Sequence, residues 1–172
     1  LASIHANYYK IPFSADLILN WHKTLYHYTK EKGGEWKTMD NSILEVRPDG
    51  KQFVRFQPVS ALATPKFMDR LIKSFNNSTV EGKVDPLLSV ATFILDFECI
   101  HPFMDGNGRI GRLLTLFLLY QSGYEVGRYI GLERIVEESK ETYYEALYKS
   151  SQGWHDAKHD LRPWWNYFIG ML

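Results

Sequence analysis

The chain has 172 residues, with 20 basic and 20 acidic side chains, so its formal net charge is zero. Because such a balance gives no global field to attract nucleic acid or an anionic membrane surface, any anion site must be built locally. Apolar residues make up 45% and aromatic residues 15% of the sequence, which excludes a disordered chain and predicts one compact domain with an aromatic-rich core. We therefore expect a protein that binds neither nucleic acid nor a membrane.

Cysteine content and segment lengths bear on where the protein works. Cys99 is the only cysteine, which excludes an internal disulfide and agrees with a reducing compartment. No stretch reaches the roughly 18 to 20 apolar residues of a membrane span, and no signal peptide opens the chain. We expect a cytoplasmic protein. Since the sequence starts at Leu1 without an initiator methionine, we expect residues 1–172 to be one domain of a longer protein.

The spacing of apolar residues predicts a mostly α-helical fold with one β-hairpin. Ser14 is the expected cap of a helix over 14–31, and Gly33 and Gly34 follow it. "SILEV" and "QFVRF" flank a Pro-Asp-Gly turn and predict a hairpin within 35–58. Further helices are expected from Thr64 to about 76–78, from Asp85 to about 100, from about 109 to Gly123, over 133–150, and from about Leu161 to the end.

Two of these helices are apolar nearly all round, which predicts that they lie side by side in the core. Their sequences are "PLLSVATFILDFECI" and "RIGRLLTLFLLYQSG". The link between them, "HPFMDGNGRIGR" at 101–112, carries a histidine, an aspartate, glycines and two arginines. It can be a structural turn or a chemical site, and the combination of these residue types favours a site.

The chemistry of this link suits an anion. A Gly-Asn-Gly run at 106–108 before a helix can expose successive backbone amides, and the helix N-terminus adds partial positive charge. Arg109 and Arg112 are expected to reach the same side and to donate to phosphate oxygens. Asp105 can cap the helix or hold Mg²⁺. His101 can be a general base or a structural histidine at a helix end.

The link also resembles the signature of a known family. Fic domains (filamentation induced by cyclic AMP) carry H-x-F-x-D/E-G-N-G-R-x-x-R, and this sequence matches every specified position. The matching residues are His101, Phe103, Asp105, Gly106, Asn107, Gly108, Arg109 and Arg112. The hairpin region, the proline-started helices, "YYEAL" and the aromatic C-terminal helix extend the resemblance through most of the chain, to a bacterial Fic subfamily.

The resemblance implies the Fic fold, a helical bundle around two buried central helices, and the activity of a protein adenylyltransferase. Such an enzyme transfers AMP from ATP to a Ser, Thr or Tyr hydroxyl of a target protein and releases pyrophosphate. His101 would deprotonate the hydroxyl, Asp105 would hold Mg²⁺, and Phe103 would anchor the loop in the core. The nucleotide's phosphates would be held by Gly106, Asn107, Gly108, Arg109 and Arg112, with Arg112 on the γ-phosphate.

The family also implies roles outside the signature. The hairpin at 43–56 would be a flap that docks the target as an added strand, through Ile43, Leu44, Glu45 and Val46; alternatively it only closes the helical core. Tyr143 and Tyr144 would line the adenine side of the pocket, or belong to the core. Ser151 stands where some relatives place an adenine-contacting asparagine.

Regulation and the alternatives to this function stay open in the sequence. Many Fic proteins carry an inhibitory helix whose glutamate pairs with the second signature arginine. "NSTVEG" at 77–82 is a poor match, because Asn77 stands four residues before Glu81 and the segment is expected to be a loop. We expect the inhibitory helix upstream of Leu1 or on a partner chain; a homodimer is an alternative partner. Transfer of another nucleotide or phosphocholine, and a non-catalytic binding module, are the alternative functions. Gly108 argues against the kinase-like Doc relatives, which carry lysine there.

Overall fold

The computed structural model describes residues 2–29, 31–46, 50–129 and 131–172. The chain forms helices α1 Ala2–Asn7, α2 Ala15–Leu25, α3 Thr64–Glu81, α4 Pro86–Ile100, α5 Asn107–Gln121, α6 Leu132–Glu138, α7 Lys140–Ser151 and α8 Arg162–Gly170, and strands β1 Ile43–Val46 and β2 Gln52–Phe56. This confirms the predicted mostly helical fold with one hairpin. In the described parts of the chain, no helix has both the length and the apolar character needed to cross a membrane.

The two apolar helices are central, as predicted. α4 packs against α3, α5, α7 and α8, while α5 also contacts α2 and α6. Both helices bury most of their residues, and Cys99 is one of the buried residues of α4. Because a helix that is apolar on every face must be surrounded by protein, the remaining helices form a shell around this pair. The link 101–106 therefore emerges from the middle of the domain.

Side-chain caps set where the helices begin. The hydroxyl of Ser14 accepts a hydrogen bond from the amide of Leu17, and the carboxylate of Asp85 accepts from the amides of Leu87 and Leu88. Prolines at the first turns of α3, α4 and α8 lose no helical hydrogen bond there. These starts were predicted from the sequence.

Helix ends differ from the prediction in three places. α2 stops at Leu25, because Tyr26 leaves the helix and donates its hydroxyl to Asp105. α3 continues through 76–78 to Glu81 and ends at Gly82, whose φ of 62° is left-handed, so 77–82 is not the expected loop. The single helix expected over 133–150 is two helices, which meet at Ser139; its hydroxyl bonds to the carbonyl of Ile135 and to the hydroxyl of Tyr167.

The hairpin is antiparallel and irregular. Leu44 pairs with Val54 and Glu45 with Phe53, with an irregularity between Ile43 and Leu44. Of its predicted Pro-Asp-Gly turn at 48–50, residues 48 and 49 lie outside the described residues. β1 begins at Ile43, just after residues 37–41, which run beside the link between α4 and α5.

The first prediction concerns the core. Phe117 of α5 is fully buried and packs edge-on against Trp21, with Phe13 on another side. We expect Phe117→Ala to lower the free energy of unfolding by about 3–5 kcal/mol, because it leaves a cavity among three elements. Chemical denaturation measures this. Leu62→Ala, at a position 95% exposed, is the control and should change the value by less than about 0.5 kcal/mol. Equal effects for the two variants would contradict the packing described.

Candidate active site

The link between α4 and α5 starts with a strained histidine. His101 follows the last residue of α4 with φ 50° and ψ 61°, and among described non-glycine residues only Ala157 shares a positive φ. This conformation costs a non-glycine residue about 1–2 kcal/mol, so the surroundings must impose it. The amide of His101 still donates to the carbonyl of Phe97, 2.9 Å away. The imidazole thus leaves the helix at a fixed angle.

Asn107 closes the link into a ring. Its side-chain oxygen accepts from the amide of Phe103 and its side-chain nitrogen donates to the carbonyl of Phe103, both at 2.8 Å. Asn107 is 2% exposed, so its side chain serves to hold the link inside the protein. Gly106 precedes it with φ 87°, close to Tyr26, so a side chain at 106 would be strained and crowded.

The first turn of α5 has free amides. Ile110 is the first residue of this helix to donate to a helical carbonyl, that of Gly106. The amides of residues 107–109 therefore have no acceptor within the helix. Because the helix dipole adds partial positive charge at this end, the turn is suited to an anion.

The histidine has a defined tautomer. Its Nδ1 lies 3.3 Å from the carbonyl oxygen of Glu98, which can only accept, so the proton is on Nδ1 and Nε2 is free to accept one. Burial lowers the pKa of His101 to about 4; the Glu98 carbonyl opposes this shift and the charge of Lys37 adds to it. At neutral pH the imidazole is uncharged, as a general base must be.

Glu98 lies directly beneath this site. Its Oε2 is 3.7 Å from Nδ1 of His101, while its Oε1 is buried without a hydrogen-bond partner. α5 comes so close that a Cβ on Gly111 would overlap Oε1. Burial raises the pKa of Glu98 to about 7, opposed by the charge of Arg112. In the sequence, a glutamate among the mostly apolar residues of a core helix is the signal that could have indicated this residue.

Asp105 is held on the opposite side of the link. Its Oδ2 accepts from the hydroxyl of Tyr26 at 2.6 Å and from Nη2 of Arg109 at 2.9 Å. Its backbone carbonyl lies 3.0 Å from Nε2 of His22, whose ring stacks on Phe103 with 3.7 Å between centroids. The hydrogen bond from Tyr26 is the main reason that the pKa of Asp105 is lowered, and burial of Tyr26 raises the pKa of that phenol to about 12.

The two signature arginines diverge. Arg109 lies over the ring of Tyr26 at 5.2 Å and lines a groove with Trp21 and Leu113. Arg112 lines the cleft that contains His101 and Gly108. The expected common direction is not seen, because Asp105 and Tyr26 engage Arg109. Among the described residues, Arg112 makes no hydrogen bond or ion pair, and its charge acts on buried Glu98.

A cleft and a cavity open beside His101. The cleft, of about 440 Å³, is lined by Ile43, Leu44, Glu45, Arg55, Glu98, His101, Gly108, Arg112, Tyr143, Tyr144 and Leu147. The cavity, of about 100 Å³ and almost entirely apolar, shares six of these residues and adds Phe56, Leu95, Cys99, Tyr148 and Ser151. A charged compartment therefore adjoins an apolar one, with the histidine between them.

The remaining predicted residues divide between this space and the core. Tyr143 is buried against Trp164 and Tyr167, although it reaches the wall of the cleft. Tyr144 is half-exposed and lines both compartments. Ser151 is buried on the apolar side and donates its hydroxyl to the carbonyl of Tyr148.

The hairpin covers this space through one arginine. Arg55 of β2 donates to Oε2 of Glu45 at 2.9 Å and to the carbonyl of Tyr144 at 2.6 Å, and its guanidinium lies 5.0 Å from the ring of Tyr148. Ile43 reaches both compartments, while Leu44 is exposed opposite Val54. The backbone of Val46 pairs with that of Gln52.

The residues present fit a magnesium ion bound together with phosphate. Tyr26 and Arg109 occupy Oδ2 of Asp105, which leaves Oδ1 as the oxygen to face a cation. Mg²⁺ takes few carboxylates and completes its shell with water and substrate oxygens. Within the described ranges, no three His, Cys, Asp or Glu side chains cluster as a self-sufficient metal site requires.

The segment considered for inhibition lies elsewhere. Asn77 and Glu81 are in the last turns of α3, and the carboxylate of Glu81 pairs with Lys83 at 3.1 Å. No contact between Glu81 and Arg112 occurs in the part of the chain described.

Comparison with known proteins identifies the family of this chain. The model of the Fic/DOC family matches residues 12–119, more than half of the chain, so the protein belongs to that family. The chain is 29% identical over 99 residues to a probable protein adenylyltransferase of Aquifex aeolicus, covering 58% of this chain and 28% of that protein. It is 28% identical over 113 residues to the protein adenylyltransferase fic-1 of Caenorhabditis elegans, covering 66% of this chain and 20% of that protein.

The fold agrees with the family. A crystal structure of a Fic-domain-containing signalling protein of Bacteroides thetaiotaomicron superposes with a TM-score of 0.78 and 26% identity, over 99% of this chain and 63% of that chain. The predicted Fic fold is thereby confirmed. The chain spans less than a third of either adenylyltransferase, so the activity of a whole protein does not transfer to it directly.

The second prediction concerns Glu98. Because its folded pKa of about 7 exceeds the ordinary 4.5, the folded protein favours the protonated carboxyl. As pH rises from about 4.5 to 7, the unfolded chain loses this proton while the folded protein keeps it, so the free energy of unfolding falls. Below that range both states are protonated and the effect is absent. Relative to wild type, Glu98→Gln should therefore gain up to about 3 kcal/mol of unfolding free energy between pH 5 and pH 8.

Chemical denaturation across this pH range tests the prediction. Glu141→Gln, at an exposed position of α7, is the matched control and should follow the wild-type curve. Parallel pH curves for Glu98→Gln and wild type would show that the carboxyl is not protonated preferentially in the folded protein.

Proposed function

We propose that this protein is a protein adenylyltransferase, which transfers AMP from ATP to a hydroxyl side chain of a target protein and releases pyrophosphate. The observation that carries the proposal is the position of His101, whose Nδ1 lies against the carbonyl of Glu98 and whose imidazole lines the same cleft as Arg112 and Gly108 at the start of α5. The adenylyltransferase names of the relatives support the same reaction.

His101 is proposed as the general base. Nε2 accepts the proton of the target hydroxyl while the hydroxyl oxygen attacks the α-phosphorus. The bond between the α-phosphorus and the oxygen that bridges it to the β-phosphorus breaks, and pyrophosphate leaves with that oxygen. Burial depresses the pKa of the free imidazole to about 4. The negative charge of a triphosphate in the cleft would stabilise the imidazolium and raise that pKa, which brings the base nearer to neutrality when substrate is bound.

The start of α5 is proposed to hold the phosphates. The backbone amides of Asn107, Gly108 and Arg109 form the anion hole, and Arg112 donates to the outer phosphate. Arg109 contributes by holding Asp105, and can reach the phosphates only by leaving Tyr26. Gly106 adopts the left-handed conformation that the turn into α5 requires, in which a larger residue would be strained.

Asp105 is proposed to hold Mg²⁺ through Oδ1, with Tyr26 and Arg109 fixing the direction of the carboxylate. When bound, the ion neutralises phosphate charge. The apolar cavity beside Tyr144 and Ser151 would take the adenine base, with Tyr143 supporting this wall from the core. The outer edge of β1, from Ile43 to Val46, would pair with the backbone of the target protein.

The third prediction tests the reaction. Incubation with ATP labelled at the α-phosphate, Mg²⁺ and a lysate should label protein above the level of the lysate alone, whereas ATP labelled at the γ-phosphate should add no label above that level. We expect His101→Ala to reduce labelling by about 10²- to 10⁴-fold, because the base is lost. Scintillation counting of precipitated protein measures both isotopes.

Two controls separate the alternatives. His27→Ala changes an exposed histidine whose ring, among the described residues, contacts only that of the exposed Tyr28, and it should keep full labelling. Labelling from the γ-phosphate would indicate a kinase reaction. Nucleotide binding without labelling from either isotope would indicate a non-catalytic module, and the proposed function would then be wrong.

A further inference from the structure

The strained histidine is held by a segment whose role no local sequence pattern indicates. Residues 37–41 run beside the link and donate to the carbonyls of residues 100–103, one after another. Nζ of Lys37 donates to Ile100 at 3.0 Å, and the amide of Lys37 donates to Pro102 at 2.8 Å. Nδ2 of Asn41 donates to His101 at 3.3 Å and to Phe103 at 3.0 Å. We call residues 37–41 the brace.

The brace is a closed unit. Nζ of Lys37 also donates to Oδ1 of Asn41 at 2.7 Å, which orients the asparagine so that its nitrogen faces the link. Lys37 is 3% exposed, so its charge has little access to water. A buried lysine is costly unless its donors are used, and here two of them satisfy named acceptors. The carbonyl of Ile100, at the end of α4, would otherwise lack a partner.

The brace also continues into the hairpin. β1 begins at Ile43, two residues after Asn41, and Ile43 lines both the cleft and the apolar cavity. The same short segment therefore fixes the backbone of His101 and the start of the strand that covers it. A displacement of one would displace the other.

We propose that Lys37 and Asn41 are positioning residues that hold His101 in its left-handed conformation, with the imidazole turned into the cleft, and that the buried ammonium of Lys37 adds to the effect of burial in disfavouring a charged imidazole. The consequence for transfer rests on the proposed function. The conformational and electrostatic claims do not, because they concern the protein without substrate. Neither residue touches the reacting atoms; both act through His101.

Other charges face the imidazole as well. From its own helix comes Glu98, and from the link comes Asp105. Across the cleft lie Arg112 of α5, the Glu45–Arg55 ion pair of the hairpin, and Tyr143 and Tyr144 of α7. Burial is the main reason for the low pKa of His101, and Lys37 is the cation that lowers it further. Removing the Lys37 charge while keeping these groups isolates its effect.

The fourth prediction is an NMR titration of ¹³C-labelled histidine side chains, with His101→Gln used to assign the signal. Lys37→Gln keeps a donor but removes the charge, and it should raise the pKa of His101. Lys37→Arg keeps the charge, and its His101 pKa should lie nearer to the wild-type value than that of Lys37→Gln. Lys66→Gln, at an exposed position of α3, should leave the His101 titration unchanged.

Backbone shifts and couplings of residue 101 test the conformation separately. Asn41→Ala removes the donor to two carbonyls, so the left-handed signature of His101 should weaken even if the variant remains folded. In the transfer assay, Asn41→Ala should lower kcat by up to about 10²-fold with KM for ATP little changed, because the arginines of the cleft are untouched.

The results separate this inference from the proposed function. A folded Lys37→Gln protein with the wild-type His101 pKa, or a folded Asn41→Ala protein with the wild-type backbone signature, would overturn the positioning role. Absence of transfer in the wild type would overturn the proposed function alone, since both NMR readouts are independent of activity. If Lys37→Gln does not fold, Asn41→Ala still decides the positioning role through the backbone signature of His101.

Discussion

Two apolar helices lie side by side in the core, and the chain must pass from α4 to α5 in six residues without leaving buried backbone groups unpaired. The carbonyls at the end of α4 receive donors from Lys37 and Asn41, and Asn107 closes the turn onto Phe103. The amides at the start of α5 are the exception, because residues 107–109 have no helical acceptor. The fold thus pairs one end of the junction internally, while the amides at the other end have no helical acceptor.

The two arginines of the signature differ in the same way, since one is paired and the other, within the described chain, is not. Arg109 is engaged by Asp105 and Tyr26, while Arg112, with no hydrogen bond or ion pair among the described residues, faces the cleft. Beneath Arg112, the carboxyl of Glu98 is buried and favours its neutral form. At neutral pH this carboxyl is only partly ionised, so it cancels only part of the positive charge of the cleft. The neutral imidazole of His101 adds no competing charge.

Much of this architecture could be predicted from the sequence. Apolar runs identified the two central helices, Ser14, Asp85 and the prolines marked helix starts, and the signature loop placed His101 and Arg112 in one cleft. Those features depend on local pattern. Helix ends were less predictable, because α2 stops where Tyr26 meets a residue 79 positions away.

The residues that hold the link, Lys37 and Asn41, could not be predicted for the same reason. Lys37 lies in what reads as a mixed-charge turn, and Asn41 in a short polar stretch before a strand. Nothing nearby in the sequence indicates that their donors meet carbonyls about 60 residues further on. The separation of Arg109 from Arg112 also depends on tertiary contact. Spacing alone puts both on neighbouring faces, and only the Asp105–Tyr26 pair draws one away.

The central claim is that the start of α5, together with Arg112, holds the phosphates of ATP. A titration of ¹⁵N-labelled protein with ATP and Mg²⁺, followed by NMR, tests it most directly. We expect the largest shifts at the amides of residues 106–109 and at the side chain of Arg112, with Arg112→Ala weakening ATP binding about ten- to hundredfold and AMP binding little. Shifts confined to other surfaces, or equal ATP affinity in Arg112→Ala and wild type, would contradict the account.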